Sequence, residues 1–203
     1  MRLRALALAA GLIPPRTMHS AEDAAVLAAA ARGAQRVVEI GVYEGASALA
    51  LLELLGPGGD LHLIDPFGAH ADALPADWGA REWATKITLG RAVRRARAGA
   101  PHLHWYAAFS HDVAAGWSQE VDLVFIDGDH SRAGCERDWL DWHPFVAPGG
   151  HVVFHDARAQ RPGGRGLPGP TGVVDSYLRD GAGTSGWEIV AEADRTVAVR
   201  RVH

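Results

Sequence analysis

The sequence predicts an α/β fold: a doubly wound, mostly parallel sheet with helices on both faces and a C-terminal antiparallel hairpin. Three observations carry this. Short apolar runs alternate with helix-length segments along the chain. A glycine turn, Gly41-Val42-Tyr43-Glu44-Gly45, joins the first apolar run to a helix that starts near Ser47. The last two runs, 187–192 and 196–202, are separated only by Ala193-Asp194-Arg195, as in a hairpin.

The elements follow in order. Ser20 and Asp23 open an alanine-rich helix that Gly33 closes. Strand 36–40 leads through the glycine turn into a helix over 46–55, and Gly56-Pro57 ends it. Strand 61–65 is followed by a loop over 66–79 and a helix over 81–97 with a basic face. Strand 102–107 precedes a short helix from Ser110. Strand 121–127 is nearly continuous in apolar residues, the pattern of a strand buried on both faces. A helix over 133–145 and the turn Pro148-Gly149-Gly150 lead to strand 151–155. The Gly-, Pro- and Arg-rich stretch 157–170 has no periodicity and is expected to be a long mobile loop. A helix over 171–179 follows it.

The 203 residues suffice for a single domain over 1–203 with a sizeable core, its residues 1–35 forming an N-terminal helical segment. A formal net charge of −4 with no large basic block argues against a nucleic-acid partner. No apolar run approaches the ~20 residues of a membrane span. Cys135 is the only cysteine, so no intrachain disulfide forms, and a reducing, cytoplasmic setting is expected. The start of the chain superficially resembles a signal peptide, with two arginines before an alanine- and leucine-rich run. A retained helix is the preferred reading. It would pack on the domain or on a second copy, which leaves a homo-oligomer open.

In open α/β sheets, ligands bind beyond the carboxyl ends of the strands. That rule selects Glu39, Asp65, Ser110, Asp127 and Asp156. The glycine spacing is G-x-x-x-G, without the dinucleotide fingerprint, so a nucleoside cofactor lacking a pyrophosphate fits better. Asp65, about twenty residues beyond the turn, suits ribose hydroxyls, although it could merely cap the Pro66 turn. Neighbouring parallel strands would bring Asp127 and Asp156 together, and two carboxylates with an imidazole suit a divalent cation. His130 lies three residues after Asp127 and is the candidate general base.

These residues together resemble a known family. Glu39-Ile-Gly41-Val-Tyr43-Glu-Gly45-Ala-Ser47, with Asp65, Ser110 and the two acidic strand ends, is similar to the class I S-adenosylmethionine-dependent methyltransferases. Phe-Ile-Asp127-Gly-Asp-His130 and Phe-His155-Asp156 resemble the metal-dependent O-methyltransferases that act on sugar hydroxyls of macrolides and similar natural products. The resemblance implies a Rossmann-like, seven-stranded sheet. It implies that Glu39, Gly41, Tyr43 and Gly45 line the methionine end of S-adenosylmethionine, with Ser47 near its carboxylate. Asp65 would bind the ribose, and Ser110 and His111 would border the adenine. Asp127 and Asp156 would hold a divalent metal, Mg or Mn, beside the cofactor, with His155 in the adjacent ligand slot. That slot is usually acidic in the family. Either His155 ligates, which favours manganese, iron or zinc, or it points away.

The implied reaction is displacement at a sulfonium carbon by a hydroxyl of a small-molecule acceptor, with His130 removing the proton. Phe67, Trp78, Trp83 and the arginines Arg158, Arg161 and Arg165 could line the acceptor site. His62, His102, His104 and His151 read as structural, and Trp139 and Trp142 as core or interface. A non-catalytic nucleoside-binding module on the same scaffold is the competing reading, because fold alone does not fix function.

Overall fold

The computed structural model describes residues 2–67, 82–96, 99–179 and 186–203. Trp78, one of the expected acceptor walls, lies outside the described residues. The strands are β1 (Arg36–Ile40), β2 (Asp60–Ile64), β3 (His102–Tyr106), β4 (Val121–Ile126), β5 (Val146–Phe154), β6 (Trp187–Ala193) and β7 (Thr196–Arg201). They form one seven-stranded sheet in the order β3-β2-β1-β4-β5-β7-β6. The first five are parallel, and β7 runs antiparallel to both β5 and β6.

Side chains alternate across each strand, so the sheet feeds two cores. Val38, Ile40, Val124, Ile126, Val152 and Phe154 face one core. There they meet α5 (Ser110–Ala114), α6 (Arg132–Trp142) and α7 (Pro168–Val174) through Ala114, Trp139, Trp142, Val173 and Val174. Val37, Leu61, Leu63, Leu123, Phe125 and Val153 face the other. That core is covered by α2 (Ala21–Ala31), α3 (Ala46–Leu54) and α4 (Glu82–Arg95). The N-terminal α1 (Arg2–Ala10) packs on α4 of its own chain through Ala5, Leu8 and Ala84.

Several expected boundaries move, each for a local reason. The helix expected over 133–145 ends at Trp142, and a 3-10 turn, His143–Phe145, follows because Pro144 has no amide to continue the α ladder. β5 begins at Val146, and Pro148-Gly149-Gly150 lies inside it, where the pairing with β4 shifts register. The stretch expected as a loop over 157–170 is tied down instead. Ala157 and Gly166 form an antiparallel bridge, and the Arg165 guanidinium holds Asp194 at 2.7 Å. The next helix starts at Pro168, not 171, since proline in the first turn needs no amide partner. It passes into a π-helical turn, Asp175–Arg179. Trp139 and Trp142 are core residues, both fully buried.

Candidate active site

Strand register builds the site. Ile40 pairs with Ile64 and with Ile126, and Ile126 pairs with Phe154. The next residue on each strand is therefore Gly41, Asp65, Asp127 and His155, in one row along the carboxyl edge of the sheet. The edge lies where strand order reverses between β1 and β4, the place where open sheets bind ligands.

The glycine turn is held from both sides. Gly41 has φ 91°, and a Cβ there would sit 2.1 Å from the carbonyl oxygen of Asp127. Only glycine lets the β1 and β4 ends approach this closely. Tyr43 is left-handed at φ 50°, a costly conformation for an aromatic residue. Asp65 fixes it: its Oδ2 accepts from the Val42 and Tyr43 amides, each at 2.9 Å. The Tyr43 carbonyl in turn accepts from the Thr85 hydroxyl at 2.9 Å. Asp65 Oδ1 accepts from the Phe67 amide at 2.7 Å. The Asp65 carboxylate thus organises both turns: Oδ2 is filled by its two amides, and Oδ1, with one, keeps acceptor capacity for a ligand. Gly45, at φ 86°, caps α3 without a side-chain hydrogen bond to its first amides.

Glu39 lies beneath this turn, wholly buried. Ser47 donates its hydroxyl to Oε1, whereas Oε2 is sealed from solvent with no partner. Burial pushes the Glu39 carboxyl up to about 8, against the Ser47 hydrogen bond, with Asp127 and Asp65 adding repulsion. Ser47 therefore serves Glu39 in this chain. Further along the edge, Ser110 donates to the buried Asp138, whose carboxyl is pushed up to about 7 by burial. His111 stacks on Phe109 at 5.4 Å and accepts from Arg137 at 3.4 Å.

Three imidazoles converge on Asp127. His155 Nδ1 lies 2.9 Å and His130 Nε2 3.3 Å from its Oδ1, and His19 Nε2 lies 3.1 Å from its Oδ2. Asp156 joins them, with Oδ2 3.4 Å from His130 and 3.6 Å from His155. It is left-handed at φ 52°, a strained conformation for a residue other than glycine. Burial alone would raise the Asp127 carboxyl, but the hydrogen bonds from His130, His155 and His19 hold it well below the usual range. His130 is raised by its hydrogen bond to Asp127, against burial. His155 is raised too: burial opposes, and Asp127 and Asp156 prevail.

Asp127, His130, His155 and Asp156 are brought together at this edge of the sheet. His155 points into the cluster, so the alternative of an outward His155 falls. Three further residues were not foreseen. His19 enters from the segment before α2, its ring edge-on to His155 at 4.4 Å. Asp23 closes the α2 capping box with Ser20, as read, but also accepts from the Arg195 amide at 2.9 Å and the Thr196 hydroxyl at 2.8 Å, behind His155. Arg195 donates to Asp156 Oδ1 at 3.3 Å. No local signal marks His19. For Asp23 the one visible sign is its place beside Ser20 at a helix start.

The expected acceptor walls do not gather in this way. Arg158, Arg161 and Arg165 are engaged with Glu192, Asp175 and Asp194 within the chain. Each arginine finds a carboxylate on the neighbouring hairpin or helical turn. Trp83 is exposed on α4, and Phe67 packs toward Trp105 with ring centroids 6.3 Å apart.

A glycine turn bearing a buried acid, a second acid after β2 and an acid–imidazole cluster after β4 and β5 define a class of protein. Residues 38–157 match the family model described as a methyltransferase domain, more than half of the chain, and the chain belongs to that family. Its class I methyltransferase fold is shared with solved O-methyltransferases at low identity. The structure of the O-methyltransferase NovP superposes with TM-score 0.67 at 14% identity, covering 98% of this chain and 89% of that one. TomG from Streptomyces achromogenes, an O-methyltransferase involved in tomaymycin synthesis and solved with SAM, gives 0.63 at 18% identity, covering 99% and 89%. The O-methyltransferase from Bacillus cereus, in complex with SAH, gives 0.64 at 14% identity, covering 98% and 89%. Among the described residues no helix is long and apolar enough to cross a membrane.

Proposed function

We propose that this chain is an S-adenosylmethionine- and divalent-metal-dependent O-methyltransferase acting on a hydroxyl of a small molecule, with a sugar or diol of a natural product as the preferred acceptor class. The observation that carries the reading is the contact between its two halves. The Gly41 turn lies directly against the Asp127 carbonyl, so a methyl donor on the turn and an acceptor at the imidazole cluster would be neighbours.

The residues fit the cofactor. The orphaned Oε2 of Glu39 suits the cofactor's ammonium group, the uncapped amides of α3 suit its carboxylate, and Asp65 suits its ribose. Ser110 and His111 border the adenine in this arrangement. S-adenosylmethionine supplies an electrophilic methyl group. The chain's task is alignment of donor and acceptor, and orientation alone contributes several kcal/mol to such a displacement, up to ~7–11.

The donor set also fits a divalent ion. Asp127, Asp156 and His155 would hold it, and His19 lies within ligand distance of Asp127 and His155. One or two imidazoles beside two carboxylates favour manganese, iron or zinc over magnesium. Such an ion supplies Lewis acidity that lowers the proton affinity of an acceptor hydroxyl. His130, at the open side of the cluster, is the base that takes the proton, and Asp127 and Asp156 steady the imidazolium that results. A net charge of −4 and the buried Cys135 agree with a small-molecule enzyme of the cytoplasm without a nucleic-acid or membrane partner.

The test is calorimetric titration with S-adenosylmethionine, with and without Mn2+, followed by methyl transfer to a panel of vicinal diols. Turnover should vanish on chelation and return with the ion. His130→Ala should lower turnover about 10²–10⁴-fold while leaving cofactor affinity nearly unchanged. Full turnover after exhaustive chelation would remove the ion. Cofactor binding without transfer to any acceptor would favour the non-catalytic module.

A further inference from the structure

We propose that Asp60, His62 and His104 form a second metal site, for a zinc-like transition ion, that clips the edge strand β3 to β2. It lies at the other end of the strands from the active site. Asp60 pairs with Arg36 at the start of β1, whereas the active-site residues follow the end marked by Ile40 and Ile64.

Register creates the group. His62 stands opposite His104 in the parallel β2–β3 ladder, and Asp60 shares their face two residues before His62. The imidazoles stack with centroids 4.3 Å apart and planes 13° from parallel, so the half-exposed His104 ring must turn for both in-plane lone pairs to meet one ion. One ligand atom from each of Asp60, His62 and His104 lies within 4.8 Å of the other two. His104 Nε2 is already 2.7 Å from Asp60 Oδ1.

The independent observation is at His62. The residue is only 4% exposed, and its Nε2 is sealed from solvent with no hydrogen-bond partner. A buried ring nitrogen left without a partner is costly, and a ligand would relieve it. Its Nδ1 lies 3.1 Å from the Tyr106 hydroxyl. With the Nδ1 proton donated to Tyr106, Nε2 becomes a bare lone pair, the arrangement in which ligating histidines are usually held. Burial and the neighbouring His104 keep this imidazole neutral, pushing it down to about 4.

The donor chemistry selects the ion. Two neutral imidazoles and one carboxylate suit zinc, nickel or cobalt, and are too few in oxygen for calcium or magnesium. Asp60 Oδ2 faces Arg36 Nη2 at 3.6 Å, which leaves Oδ1 for the ion. The His104 side chain is 41% exposed, so the group opens to solvent for entry and for a water as the remaining ligand. Two of the four histidines that the sequence marks as structural, His62 and His104, thus acquire a ligand role. This inference is independent of the proposed methyl transfer.

The test is equilibrium dialysis of the full chain against micromolar ZnCl2, with imidazole 15N spectra recorded alongside. His104→Gln and Asp60→Asn alter partly exposed positions, and far-UV circular dichroism checks that both variants fold. Each should bind one zinc equivalent fewer than the wild type. In the wild type, zinc should shift the ring nitrogens of His62 and His104. His130→Gln, in the other cluster, should leave those two shifts intact. Zinc stoichiometry and affinity unchanged in His104→Gln would overturn the proposal. So would His62 and His104 nitrogen signals that do not move on saturation of the wild type with zinc.

Discussion

At the scale of single residues, Glu39 links burial to ligand binding. A carboxyl held up at about 8 is mostly protonated at neutral pH. Raised above its ordinary 4.5, it favours the free folded chain at low pH, and that contribution is lost as the pH climbs toward about 8. If the cofactor's ammonium meets Glu39, binding must release this proton. Affinity for S-adenosylmethionine should then rise with pH up to about 8, at most about tenfold per pH unit. Calorimetry in two buffers of different ionisation enthalpy reads the proton directly. Glu39→Gln should abolish the release and weaken binding by about 1.5–3 kcal/mol, the value of a hydrogen bond to a charged group. Proton release that persists in Glu39→Gln would assign it to another group. Asp65 makes a complementary case. Asp65→Ala removes the acceptor that holds Tyr43 in its left-handed conformation, so cofactor affinity should fall by about 1–3 kcal/mol. Unchanged affinity in the folded variant would take Asp65 out of the site.

At the scale of elements, the site depends on two close approaches and one cap. Gly169, in the first turn of α7, sits so near the β4–α6 loop that a Cβ would lie 2.2 Å from the His130 carbonyl. Gly169→Ala should push α7 away from that loop, lower the melting temperature and reduce turnover, with cofactor affinity nearly unaffected. Wild-type turnover in this variant would show that His130 does not rely on α7. The α2 cap has a wider reach than its own helix. Asp23 closes the capping box with Ser20 and also anchors Arg195 and Thr196 at the start of β7. Ser20→Ala should cost about 0.5–2 kcal/mol in urea unfolding, the range for a lost N-cap. Asp23→Ala should cost more, because two hydrogen bonds to β7 go with it. Equal losses would mean that the β7 contacts carry no weight.

At the scale of the whole molecule, two cores sandwich one sheet, and the catalytic edge is only as rigid as their packing. Trp139 is fully buried between α6 and the sheet, in contact with Phe154, the last residue of β5 before His155. Trp139→Ala should cost about 3–5 kcal/mol in equilibrium unfolding, the range for deleting a buried aromatic. It should also loosen the acid cluster next to it. The N-terminal segment belongs to the same unit. Arg4 and the Arg16 amide both bind Glu44 within the glycine turn, and His19 reaches Asp127. The opening residues thus fold across the carboxyl edge of the sheet, which their composition does not announce.

Alternation of apolar runs with helix-length segments determined the α/β class, and the terminal hairpin followed from two runs split by a three-residue turn. Gly41, Glu39, Asp65, Asp127, His130, His155 and Asp156 were legible because each stands at a strand end or in the turn beyond it, and strand ends are marked by local chemistry. The boundary at Pro168 was misread because proline and glycine break a helix interior but are tolerated in its first turn. Tertiary structure alone decided the rest. His19 lies 108 residues from Asp127, and Asp23 lies 172 from Arg195. Contacts at that separation depend on how α2 lies across the sheet, which no local pattern encodes. The pairing of His62 with His104 likewise depends on parallel register, set by the burial of both strands rather than by either histidine. The sequence by itself determined which main strands and helices form and which of their ends carry chemistry. Only packing decided which of those ends meet, because a side chain's partners are fixed by the faces that the two cores bury.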